Sequence, residues 1–81
     1  MKIQLTERLR KSYAGAPPEV RTAFDKQLRL LAADLRHPSL RAKKYDAARD
    51  IWQARVTRSW RFYFTIEADT CIIIGLAPHP K

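Results

Sequence analysis

Two stretches near the end of this chain alternate strictly between apolar and polar residues. In Ile51–Thr57 the even positions Trp52, Ala54 and Val56 are apolar, and Gln53, Arg55 and Thr57 are polar. In residues 60–66 the even positions Trp60, Phe62, Phe64 and Ile66 are apolar, while Arg61, Tyr63 and Thr65 face the other way. Period-two alternation marks half-buried strands, and two such runs with a short gap make a hairpin whose apolar faces must coincide. A two-residue turn at Arg58-Ser59 would set Val56 against Arg61 and mix the faces. The expected turn is therefore Thr57-Arg58-Ser59, pairing Val56 with Trp60, Ala54 with Phe62 and Trp52 with Phe64. That register sets Arg55 opposite Arg61 and Gln53 opposite Tyr63. A one-residue slip would turn every side chain to the wrong face, so the register is well specified.

The rest of the chain divides by the same reasoning. Lys2-Ile3-Gln4-Leu5-Thr6 alternates and reads as a first strand. Thr6 is placed to cap a helix, with Glu7 in its first turn where the dipole favours an acid. Leu9 and Tyr13 share a face of that helix, and Gly15 is expected to end it in the left-handed region. Pro17-Pro18 opens a second helix. Its apolar stripe is Val20, Phe24, Leu28, Leu31 and Leu35, and Pro38 limits its extent. Residues 37–50 read as a basic connector from which Leu40 and Tyr45 tuck against the sheet. After a turn at Ala68-Asp69, residues 70–77 form a strand apolar on both faces, which points to a central position. The expected order is β-α-α-β-β-β: a two-helix hairpin packed on one face of a small antiparallel sheet. This is one α+β domain spanning residues 1–81.

Charge then changes the picture. The net charge is +8, and residues 36–61 hold eight basic against two acidic side chains. Such a cluster attracts polyanions and speeds their encounter. The facing arginines sharpen this reading. Like charges opposed across an antiparallel pair are destabilising, and a chain of 81 residues has little stability to lose. An anion between Arg55 and Arg61 would relieve the conflict.

Several function classes lack their residues. There are two histidines, one cysteine and no carboxylate cluster at metal-ligand spacing. With only Gly15 and Gly75, no glycine-rich phosphate loop exists. No serine sits in a nucleophile elbow. Cys71 lies in an apolar strand and reads as a buried, inert thiol. No apolar run approaches the length of a membrane span, and Met1-Lys2 leads directly into an alternating segment rather than a secretory signal, so a cytoplasmic protein is expected. What remains is a cationic surface of Arg41, Lys43, Lys44, Arg55, Arg58 and Arg61, with Gln53, Tyr63 and His79 beside it. Guanidinium forks match phosphate oxygens and stabilise the added charge of a pentacoordinate transition state. RNA cleavage also needs an acid and a base, and histidine supplies either near neutral pH.

The run His37-Pro38-Ser39-Leu40-Arg41-x-Lys43-Lys44, the run Ile51-Trp52-x-Ala54-Arg55-Val56-x-Arg58-Ser59-Trp60-Arg61-Phe62, the Ile-Glu-x-Asp turn and the apolar last strand resemble the RelE/ParE superfamily of bacterial type II toxins. The likeness is to its RelE-like branch and covers nearly the whole chain. It implies the βααβββ arrangement already reached. It also implies a metal-independent mRNA interferase, an endoribonuclease acting at the ribosome to repress translation, held inactive by a cognate antitoxin and needing no cofactor. On that resemblance Arg61 stabilises the phosphorane, Arg55 and Gln53 take the positions of basic residues on the preceding strand, and His79 is the acid of a short C-terminal tail. Lys44 or Lys43 contacts RNA and assists the attacking hydroxyl, while Arg41, Arg58, Gln53 and Tyr63 bind RNA. Two alternatives stay open: a ParE-like inhibitor of DNA gyrase without nuclease chemistry, and a non-catalytic binding module of the same fold.

Overall fold

Residues 1–79 are described by a computed structural model of the chain. Strand β1 (Lys2–Leu5) leads into helix α1 (Glu7–Ala14), and helix α2 (Pro18–Ala33) follows. A 3₁₀ turn (Pro38–Leu40) precedes strands β2 (Lys43–Asp46), β3 (Ile51–Thr57), β4 (Trp60–Glu67) and β5 (Thr70–Pro78). The five strands form one sheet in the order β1-β5-β4-β3-β2. Both helices pack on one face, giving the expected α+β architecture with one strand more than the pattern announced.

That extra strand is β2, in the stretch read as a connector. It pairs antiparallel with β3 at the sheet edge, Lys43 beside Gln53 and Lys44 beside Trp52. Four residues with two lysines show no alternating apolar signal. Short, charged strands are how sheets protect their edges. The sheet is also not wholly antiparallel, because β1 runs parallel to β5, with Ile3 beside Cys71 and Leu5 beside Ile73. Parallel neighbours need a long crossover, and the intervening helices and hairpins supply it. As its two-sided apolar pattern requires, β5 lies between β1 and β4.

The β3–β4 register matches the expectation at Trp52–Phe64, Gln53–Tyr63, Ala54–Phe62 and Arg55–Arg61. The turn does not. Thr57 pairs with Trp60, the loop is Arg58-Ser59, and the register shifts between Arg55 and Thr57. Val56 is therefore bulged rather than paired with Trp60. A bulge adds one residue to one strand, so it keeps the apolar faces together with a shorter turn. A second register shift between Tyr63 and Phe64, where Ile74 is left over on β5, puts Ile73 and Leu76 both on the covered face.

Local signals explain the helices. The Thr6 hydroxyl accepts the Leu9 N–H at 3.1 Å and donates to the Ile73 carbonyl at 2.8 Å, so one side chain caps α1 and ties it to β5. Gly15 ends α1 at φ −86°, in the right-handed region and not the left-handed one expected. Helix α2 stops at Ala33, short of Pro38, and its buried line is Val20, Phe24, Gln27 and Leu31. Leu28 is half-buried and Leu35 lies beyond the helix. The core is made by Leu9, Phe24, Leu31 and Leu40 against Ala54, Phe62, Phe64, Cys71 and Ile73, with Phe24 edge-on to Phe62 at 5.4 Å. Leu40 tucks in as expected. Tyr45 does not: it is 61% exposed and stands on the opposite face of the sheet, against Tyr63.

Candidate active site

The helix-free face of the sheet carries the odd positions of β3 and β4. Arg55 and Arg61 are direct neighbours across the two strands. Their residues are half-buried, and neither joins an ion pair among the described residues. Burial first, and then the facing Arg55, push the Arg61 guanidinium below its ordinary pKa. Arg61 remains charged near neutrality, because guanidinium groups do not deprotonate in proteins. Among the described residues no carboxylate pairs with either arginine, so the two like charges face each other where an anionic ligand can reach them.

Arg61 is held in place by the hairpin it belongs to. Its Nη1 donates to the Thr57 carbonyl at 2.7 Å and the Trp60 carbonyl at 2.9 Å. A guanidinium offers five N–H donors, and among the described residues Nη2 and Nε make no hydrogen bond. One nitrogen fixes the side chain, and the remaining edge can form a fork toward a phosphate.

A shallow cleft of about 130 Å³ on this face is lined by Arg41, Lys43, Gln53, Arg61 and His79. Each wall has a local cause. Lys43 points to this face because it sits beside Gln53, whereas Lys44 sits beside Trp52. His79 is brought in by its backbone N–H, which donates to the Ser59 carbonyl at 2.6 Å and pins the end of β5 to the β3–β4 turn. Arg41 closes the 3₁₀ turn in the left-handed conformation, φ 47°. For a residue with a β-carbon that costs on the order of 1–2 kcal/mol and is held only by its surroundings. Here the Arg41 N–H bonds to the Pro38 carbonyl, and the neighbouring Leu40 is fully buried.

Two expected reacting residues lie outside this cleft: Arg55 lines a neighbouring one, and Lys44 turns to the other face of the sheet. It is ion-paired with Asp50, and its ammonium lies 5.2 Å from the Trp52 ring centroid. Alternation along β2 decides the matter, since adjacent residues of a strand face opposite ways. Arg58 lies in the exposed hairpin turn and lines a second, larger cleft of about 580 Å³ together with Lys26, Arg41 and Arg55. Arg41 therefore stands between both clefts. Tyr63 is two residues along β4 from Arg61, on the same face, and burial together with Tyr45 raises its hydroxyl pKa. The hydroxyl stays protonated and able to donate. Burial likewise raises the Cys71 thiol, consistent with an inert core residue.

Sequence reading missed Gln27, the buried polar side chain behind the site. Its amide donates to the Arg55 carbonyl at 2.8 Å and to the Ser39 carbonyl at 3.1 Å, and its Oε1 accepts from the Ser39 hydroxyl. It satisfies the edge of β3 where β2 no longer pairs and ties α2, the 3₁₀ turn and the Arg55 backbone together. Its signal was present, because Val20, Phe24, Gln27 and Leu31 keep helical spacing. Leu28 masked it as the more apolar choice.

A small α+β chain with a cation-lined cleft on the bare face of its sheet is a recognisable kind of protein. Solved structures share its fold. The chain superimposes on a YoeB/ParE toxin from Agrobacterium tumefaciens with TM-score 0.80 and 14% identity, covering 99% of this chain and 100% of that one. It matches a RelBE toxin–antitoxin complex from Mycobacterium tuberculosis with TM-score 0.79 and 16% identity over 96% of each chain. It matches the RelE–RelB complex from Pyrococcus horikoshii with TM-score 0.77 and 15% identity, over 95% of this chain and 92% of that one. The fold is that of the RelE/ParE toxin superfamily. No protein-family model matches the chain, and no curated protein matches its sequence.

Proposed function

We propose that this protein is the toxin of a type II toxin–antitoxin pair, an endoribonuclease that cuts ribosome-bound mRNA in the cytoplasm and so represses translation. One observation carries the reading: Arg61, Arg41, Lys43, Gln53 and His79 converge on one cleft although they come from three different strands, a 3₁₀ turn and the end of the chain. The relatives that share the fold and are complexed with RelB support an antitoxin as partner. The antitoxin would cover this cationic face or the helices with an extended, acidic or amphipathic segment.

The chemistry follows from the charges. The 2′-hydroxyl of RNA attacks the adjacent phosphorus, and a P–O bond forms as the bond to the 5′-oxygen breaks. Negative charge grows on the equatorial oxygens, where the free edge of Arg61 stabilises it, supported by Arg55. The 2′-hydroxyl gives its proton to solvent water, Lys43 stabilises the oxyanion that develops there, and the departing 5′-oxygen takes its proton from His79. The products are a 2′,3′-cyclic phosphate and a 5′-hydroxyl end. Induced expression should arrest translation, with new 5′ ends in mRNA mapped by primer extension. Purified Arg61→Ala should cut ribosome-bound mRNA ~10²-fold more slowly or worse. Unchanged cutting would remove Arg61 from the mechanism, and supercoiling defects with intact mRNA would replace the nuclease reading by gyrase inhibition.

A further inference from the structure

The bare face continues beyond the cationic cleft, and what lies there is not charged. Tyr63 meets Tyr45 of β2 edge-on, with 4.9 Å between ring centroids and 63° between planes. On its other side Tyr63 is paired with Gly75 of β5. Apart from Gly75 and its chain neighbours, no heavy atom of the described residues lies within 4 Å of the place a β-carbon would occupy on Gly75, so the strand leaves open space beside the ring. The result is a depression of about 280 Å³ whose lining includes Tyr45, Tyr63, Ile74, Gly75, Arg8 and Arg49. Its walls are aromatic, its floor is the Ile74-Gly75 stretch of β5, and its rim is cationic.

The rim is positioned by the fold. The Ser12 hydroxyl accepts the Leu76 N–H at 3.1 Å, so α1 lies along the edge of β5, and Arg8 stands one helical turn before Ser12. Arg8 joins no ion pair among the described residues, while Arg49 is 3.6 Å from Asp46. A phosphate can accept from the tyrosine hydroxyls but makes no use of the ring faces, and an acidic peptide does not need an open slot beside one. A flat, weakly polar ring with acceptor atoms on its edge uses every part: stacking on the tyrosines, clearance over Gly75 and donors from Arg8.

We propose that this depression seats an unpaired nucleobase of the RNA, held by stacking on the Tyr45–Tyr63 pair with Arg8 at its acceptor edge. The seat rests on the nuclease reading, because the base it takes belongs to a nucleotide adjoining the phosphate at Arg61. Residues two apart on a strand are separated by about 6.6 Å, so Arg61 and Tyr63 address a phosphate and its neighbouring base at once. Stacking tolerates any base, so the site anchors the strand and favours bases in proportion to their ring area. Arg61 supplies charge, and the tyrosine pair places the sugar that carries the attacking hydroxyl.

The test uses the full-length protein and short single-stranded RNAs with a 2′-deoxy sugar at the cut position, which cannot be cleaved. The nucleotide on either side of that position carries adenine or no base. Wild-type protein should bind the adenine form ~10-fold more tightly than the abasic form at one of the two positions. Tyr63→Ala and Tyr45→Ala should abolish that difference, Tyr63→Phe should keep it, and Arg61→Ala should weaken both RNAs alike. Equal affinity for adenine and abasic RNA at both positions overturns the seat. So does a failure to bind either RNA by protein whose cutting of ribosome-bound mRNA still depends on Arg61. Loss of the Arg61 dependence in cutting overturns the nuclease reading beneath it instead.

Discussion

The two faces of the sheet are built from the same strands and obey opposite rules. Along β4, Phe62 and Phe64 are fully buried under the helices, while Arg61 and Tyr63, one residue away, are only partly covered. The covered face pairs Ala54 with Phe62 and Trp52 with Phe64, combinations that gain from contact. The bare face pairs Arg55 with Arg61, a combination that loses from it. A position selected only for stability would not hold two facing guanidinium groups. The difference separates the residues that make this fold from those that use it, strand position by strand position.

Substitutions on the two faces should therefore fail in different ways. The largest effect belongs to the covered face. Phe62→Ala removes a ring packed on Phe24 and Phe64, and should cost about 3–5 kcal/mol, enough to unfold much of a chain this small; a denaturant titration measures it. If that variant stays folded with altered RNA binding, the division between faces is wrong.

The second comparison is between adjacent lysines. Lys43→Ala removes a cation from the cleft and should weaken RNA binding and flatten its salt dependence by about one charge. Lys44→Ala should leave RNA binding unchanged and cost at most about 1 kcal/mol of stability, through its exposed pair with Asp50. Binding isotherms at several salt concentrations separate the two, and equal losses would mean that β2 does not divide its residues as the register says.

The smallest effect is the most diagnostic. Arg55→Gln removes one of the facing charges, and should stabilise the fold by about 0.2–1 kcal/mol while weakening RNA binding. A variant that becomes more stable and less able to bind shows charge retained against the interest of the fold. One that is destabilised shows instead that Arg55 supports the structure.

Much of this was readable in the order of residues. Thr6 as a cap, Pro18 at the start of α2 and the Arg55–Arg61 opposition all depend on near neighbours or on strand parity, which sequence displays directly. The errors share a cause. The bulge at Val56, the early end of α2 and the strand hidden in residues 43–46 each depend on what packs beside them. Lys43 and Lys44 look interchangeable as a dipeptide, and only the pairing of β2 with β3 turns one to the cleft and the other to Trp52. The aromatic depression joins residues from α1, β2, β4 and β5 with Arg49, and no spacing in the chain brings them together.

What the chain alone determined is which residues face together along each unbulged stretch of strand, because side-chain direction there alternates with every peptide unit. What only the tertiary structure decided is which strands adjoin, and so which charges share a cleft. The free energy that sets strand order comes from the long-range burial of Phe24, Phe62, Phe64 and Ile73 together, and no local stretch contains all four.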